Sequence, residues 1–157
     1  MSGAVEVRVE PARHLAVVRE RRAWTDLGAK LLPLLDRVYV AVRAGAIVQS
    51  GHNVFVFREP TRDGVTVEIG VEVAAPFAAS GDVVSAATPA GEAAVTMHRG
   101  PYAGLGAAHD AVRSWCEAQG RERAGVWWEV YGDWCADPAQ LETEVLHALV
   151  PRGGDRE

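Results

Sequence analysis

Gly125-Val126-Trp127-Trp128-Glu129-Val130-Tyr131-Gly132-Asp133-Trp134 is the stretch on which the fold turns. Trp, Val and Tyr suit a pleated surface, and two glycines bracket the run, so it reads as a short strand. Alternation puts Trp127, Glu129 and Tyr131 on one face and Val126, Trp128 and Val130 on the other. The second face is apolar and suits a core. The first sets one carboxylate between two aromatic rings. A carboxylate stripped of water needs a partner or a proton, and ring faces attract cations. The pattern suits a seat for a flat, greasy cation, or a tuned general acid or base. An ordinary reading stands beside it, with Glu129 as a wet residue on an edge strand, covered by its neighbours. The concentration of rings weighs against that, because three of the chain's five tryptophans fall in this stretch.

Downstream, Asp137-Pro138 marks a turn, Glu142 to Val150 alternates as a last strand, and Pro151 to Glu157 reads as a polar, frayed tail. Upstream, Leu105, Ala108, Val112, Trp115 and Cys116 recur at helical spacing and stop at Gly120. Before that helix, Asp82 to Arg99 is extended and Gly100-Pro101-Tyr102 turns the chain.

The first half has the same grammar. Val5, Val7 and Val9 alternate with charged residues, and His14 to Arg19 continues extended, as one bent strand or two short ones. After Trp24, Thr25 or Asp26 can cap a helix carrying Leu31, Leu34, Leu35, Val38 and Val42. Pro33 inside that pattern predicts an irregular start. His52 to Arg58 and Val65 to Val73 are two further strands, the latter strictly alternating.

The order is strand, helix, strand, strand, given twice, over residues 4–75 and 82–150. The expectation is one α+β domain spanning residues 1–157. Its tandem units form a curved antiparallel sheet, with two helices on one face and a central ligand groove on the other.

The totals bound the function. A chain of 157 residues, 48% hydrophobic and 24% charged, can bury a substantial core. A net charge of −5 argues against non-specific binding to nucleic acid or an anionic membrane. No apolar run has membrane-spanning length, and the N-terminal residues lack a signal-peptide layout, so a cytoplasmic protein is expected. Cys116 and Cys135 have no CxxC spacing and read as incidental thiols. The five histidines show no metal-ligand spacing, and no P-loop, GxGxxG or GxSxG is present. Neither metal nor cofactor is expected.

In sequence the chain resembles the GyrI-like small-molecule-binding domain, which is also the effector-binding domain of AraC-type and MerR-type multidrug regulators. The residues that carry the resemblance are His98-Arg99-Gly100-Pro101-Tyr102 with Leu105, Trp115, Trp128-Glu129-Val130-Tyr131, Asp137-Pro138, Glu144-Val145 and Val67-Glu68-Ile69-Gly70-Val71. They span nearly the whole chain. The resemblance implies a central pocket for bulky aromatic, often cationic compounds, with Glu129 as the acidic anchor. Some standalone members are similar to hydrolases that open reactive cyclopropane-bearing DNA-alkylating compounds, and others are associated with gyrase inhibition. No helix-turn-helix pattern accompanies the repeat, so direct nucleic-acid binding is not expected. A homodimer is left open.

Two functions compete on these grounds. One is a binding module for a lipophilic cation. The other is a hydrolase in which Glu129 handles a proton or a water and Tyr131 supports it. A gyrase-inhibitory role has weaker support, since the acidic residues form no run. Trp127 shares the Glu129 face and can stack on a ligand. Tyr102 stands at a helix entrance, as pocket rim or hydrophobic staple, and Trp24 holds the corresponding place in the first half. Phe55 and Phe57 share a face, as core or pocket wall. Trp134 can cap a groove or be incidental. Glu68 is an exposed strand residue by default, or a second acid in the groove. His52 and His98 read as structural.

Overall fold

The computed structural model describes residues 3–152; residues 153–157 of the expected tail lie outside them. The fold is α+β, and its strand pairings within each compact unit are antiparallel. Among the described residues the strands are β1 (Glu6–Glu10), β2 (His14–Ala23), β3 (Asn53–Arg58), β4 (Gly64–Glu72), β5 (Val84–Ala87), β6 (Gly91–Arg99), β7 (Arg123–Tyr131) and β8 (Glu142–Leu149). The helices are α1 (Leu32–Arg43) and α2 (Leu105–Ala118).

The chain forms two compact units. One is continuous, from Ala12 to Thr88; the other joins the N-terminal segment up to Pro11 with the segment from Pro89 onward. In the continuous unit the strand order is β5-β2-β4-β3, and α1 packs on β2 and β4. Its helix starts irregularly, as Pro33 requires. A 3₁₀ turn over Gly28–Leu31 precedes α1, whose first turn then accepts the proline. Neither Thr25 nor Asp26 makes a capping hydrogen bond; two short 3₁₀ turns occupy that stretch instead.

The other unit repeats the order as β1-β6-β8-β7, with α2 packed on β6 and β8. The bent-or-broken question at Pro11 is thereby settled. β1 and β2 are separate strands, and β1 pairs with β6 from Glu6↔Val95 to Glu10↔Gly91. Leu105, Ala108, Val112 and Cys116 of α2 meet Ala94, Val145 and Leu149 in one buried cluster, edged by Val5, Val7, Trp115 and Tyr131. Burying each of its leucines and valines is worth about 1.5–3 kcal/mol, and this packing holds α2 against its sheet.

Candidate functional site

The site grows from a kink in β7. The β7–β8 register shifts between Arg123 and Trp127, and Gly125 sits there at φ 85°. This is the left-handed region that a bulge of this kind needs and that glycine enters without strain. Beyond the bulge, Trp127 pairs with His147, Glu129 with Val145, and Tyr131 with Thr143. Trp128 points the other way and is fully buried, as its alternation predicts.

Glu129 is 7% exposed, which removes the reading of it as a wet edge residue. It lies on the face that α2 covers rather than on one turned away from the helix. The Tyr131 hydroxyl donates to its Oε1. His109, from the buried stripe of α2, stands with Nε2 2.7 Å from its Oε2. The other nitrogen of His109, Nδ1, lies 2.8 Å from Nε2 of His147 on β8. The result is a continuous chain, Tyr131–Glu129–His109–His147, half-buried at Tyr131 and buried at the other three. A carboxylate held by an O–H and an N–H keeps its charge at lower cost than a bare one.

Aromatic rings frame this chain. Trp127 stacks on His147 with centroids 5.9 Å apart and planes 10° from parallel. Tyr102, in a 3₁₀ turn ahead of α2, meets Tyr131 edge-on at 5.5 Å. Tyr102 is 43% exposed, so it forms the outer part of the cluster.

Titration follows from burial. Desolvation first, and the Glu129 charge second, push the Tyr131 phenol well above its usual range, so it stays a donor. His147 is driven down to about 2, chiefly by desolvation, with His109, Arg113 and Arg123 adding positive surroundings. It is neutral at any ordinary pH. Burial also raises Tyr102, with a smaller contribution from Cys135.

The other expected site residues are placed as follows. Trp134 lies in the loop after β7 and is 75% exposed. Trp24, Phe55, Phe57 and Glu68 belong to the continuous unit. Trp24 is 42% exposed, and its indole N–H donates to the Thr61 carbonyl. Phe55 and Phe57 are buried on β3. Glu68 is buried rather than exposed, and Arg19 and Arg58 hold its two oxygens at 2.7 and 2.9 Å. His98 is buried, with its Nε2 2.8 Å from the Pro101 carbonyl and its ring beside Gly104, where a Cβ would come within 2.7 Å of it.

Sequence reasoning missed His109 and His147. The signal was present. His109 falls on the apolar stripe of α2 with Leu105, Ala108 and Val112, and His147 falls between Val145 and Leu149 on the inward face of β8. A polar residue on an apolar stripe has to find a partner. Among the described residues, no three or more His, Cys, Asp or Glu gather as a metal site. No helix is long and apolar enough to cross a membrane.

Among curated protein sequences, none matches the chain. Its fold is shared with solved structures. The EcmrR C-terminal domain superposes with a TM-score of 0.77 at 19% identity, over 94% of this chain and 97% of that one. SAV2435, solved bound to tetraphenylphosphonium, gives 0.67 at 11% identity, over 99% and 98%. A hydrolase from Listeria innocua gives 0.61 at 14% identity, over 93% and 91%. The sequence profile of the GyrI-like small molecule binding domain matches residues 55–149. With well over half its length matched by that profile, the chain belongs to the GyrI-like small-molecule-binding domain family.

Proposed function

We propose that this protein binds bulky aromatic small molecules, preferably cations, with Glu129 as the charged anchor and Trp127, Tyr131 and Tyr102 as the surrounding rings. The observation that carries this reading is the buried carboxylate itself, placed among rings and already desolvated. A cation brought to it gains charge pairing in a low-dielectric setting, together with about 0.5–2 kcal/mol for each ring face it meets. Apolar burial adds about 25 cal/mol per Å². The likeness to SAV2435, which was solved with a lipophilic cation, supports the choice of ligand class.

The test is a fluorescence titration with tetraphenylphosphonium and with triphenylphosphine oxide, a neutral compound of related shape. Glu129→Gln should weaken the cation by about 10- to 100-fold, the scale of 1.4–2.8 kcal/mol, and the neutral compound by much less. Equal losses for both would defeat the charge argument.

A second reading is hydrolysis of an electrophilic aromatic compound. The proton-bearing chain Tyr131–Glu129–His109–His147 favours it, since such a chain can take up and return a proton during water attack. Product formed beyond one equivalent, and lost in Glu129→Gln, separates it from simple binding.

A further inference from the structure

Glu129 is bonded on both sides, and its two partners differ in kind. Tyr131 is a neutral donor held protonated by its surroundings. Among the described residues, His109 is the one side chain within ion-pair distance of Glu129 that can itself carry positive charge, at 2.7 Å and as deeply buried as the acid. A buried carboxylate is most comfortable beside a compensating cation. The site can supply one from its own residues, by placing a proton on His109.

His147 makes that proton easy to give up. With His109 doubly protonated, its Nδ1–H donates to Nε2 of His147. With His109 singly protonated on Nε2, His147 changes tautomer and its Nε2–H donates back to Nδ1. The 2.8 Å contact survives in both states, as does the 2.7 Å contact to Glu129. The relay therefore loses a charge without losing a hydrogen bond.

We propose that His109, backed by His147, determines specificity at Glu129, so that a lipophilic cation binds in exchange for a proton leaving His109. This deepens the reading of Glu129 as cation anchor and rests on it. The exchange balances: one positive charge arrives beside the carboxylate, and one proton passes from His109 to solvent. A second positive charge beside the carboxylate disfavours the imidazolium form of His109, which, unlike a guanidinium, can shed its charge by giving up a proton. A neutral ligand makes no such demand and leaves the proton in place.

The charged and titratable surroundings agree. On α2, Arg113 pairs with Asp110 at 2.9 Å, one turn from His109. On β7 stand Glu129, Tyr131 and Arg123, and on β8 stands His147, whose neutrality Arg113 and Arg123 reinforce. On β6, His98 is tied to the Pro101 carbonyl, and Glu92 is paired with Arg121 at 2.6 Å. His109 is thus the group left to exchange.

The experiment is calorimetry of tetraphenylphosphonium binding to the full chain at one pH in phosphate and in Tris, repeated across pH. This probe carries no titratable proton. The expected result is a buffer-dependent heat corresponding to release of up to one proton. Affinity should rise with pH by up to tenfold per unit, the slope of one exchanged proton. Triphenylphosphine oxide should show neither effect. His109→Gln keeps an N–H for Glu129 but carries no charge, so cation affinity should become flat with pH. Nitrogen NMR of the wild-type histidines gives a second readout, in which the cation should shift one ring from the imidazolium to the neutral pattern. Binding that depends on Glu129 but releases no proton overturns this proposal and leaves the anchor reading intact. Proton release that persists in His109→Gln overturns the assignment to His109. Loss of the Glu129 dependence itself overturns both.

Discussion

Glu129 and Tyr131 stand two residues apart on one strand face, and the phenol of the second donates directly to the carboxylate of the first. Tyr131→Phe removes that donor and leaves one carboxylate oxygen buried without it. A lost hydrogen bond to a charged group costs about 1.5–3 kcal/mol. The expected outcome is a destabilisation of that size in urea unfolding at neutral pH. A change below about 0.5 kcal/mol would show that the bond contributes little.

The same phenol is predicted to titrate last. Its folded pKa lies above the unfolded one, so its contribution to stability is complete below pH 10 and declines as pH rises beyond it. Ultraviolet titration of the folded protein should show one of the chain's three tyrosines failing to ionise with the others. Tyr131→Phe should abolish that late step.

His147 predicts the acid side. Its folded pKa, about 2, lies below the ordinary value of 6.5. Its contribution is therefore complete above pH 6.5 and falls as pH drops through that value toward 2. The slope approaches about 1.4 kcal/mol per pH unit for one proton. Unfolding free energies measured from pH 7 to 4.5 should fall more gently in His147→Gln than in the wild type. Parallel curves would mean that His147 is not held neutral.

Glu68 gives a prediction about stability. Its carboxylate is buried between Arg19 and Arg58, and Arg58 also reaches the Ala87 carbonyl. Glu68→Ala leaves two guanidinium groups facing each other with no acid between them. A cost of about 2–4 kcal/mol is expected, short of the full penalty for a buried pair because Arg19 is half exposed. Thermal unfolding measures it, and a loss under 1 kcal/mol would show the cluster to be dispensable.

Gly125 tests the bulge. Apart from its two chain neighbours, nothing lies within 4 Å of a Cβ built there, so a Cβ has space and the φ of 85° is what strains a substitution. Gly125→Val should cost about 1–2 kcal/mol, and Gly125→Asn noticeably less, because Asn tolerates the left-handed region. Equal costs for the two would point to something other than backbone strain.

Much of this was legible in the sequence. Strict alternation from Val65 to Val73, and the aromatic run at Trp127, identified strands because their period of two is unambiguous. The order of elements predicted the repeat. Pro33 announced the irregular start of α1. The pairing of β1 with β6 was not legible, since local pattern carries no information about which distant strand completes a ladder. The burial of Glu68 was not legible for the same reason: its alternation indicates a face, but Arg19 arrives from β2 and Arg58 from β3. Glu129 was read as special from its neighbours in sequence. The partners that define its chemistry, His109 and His147, lie 20 and 38 residues from their contacts and emerge only in three dimensions.

The pairing of β1 with β6 has a consequence for biosynthesis. The residues from Ala12 to Thr88 form one unbroken unit, whereas β1 must wait for β6, which begins only at Gly91. On the ribosome β1 is thus left without its ladder while a whole unit behind it is made and can fold. Loop-closure entropy makes such a long-range pairing slow. Every residue of the continuous unit is therefore made before β6, β7 and β8 exist, and the side chains around Glu129 can come together only after that unit is complete.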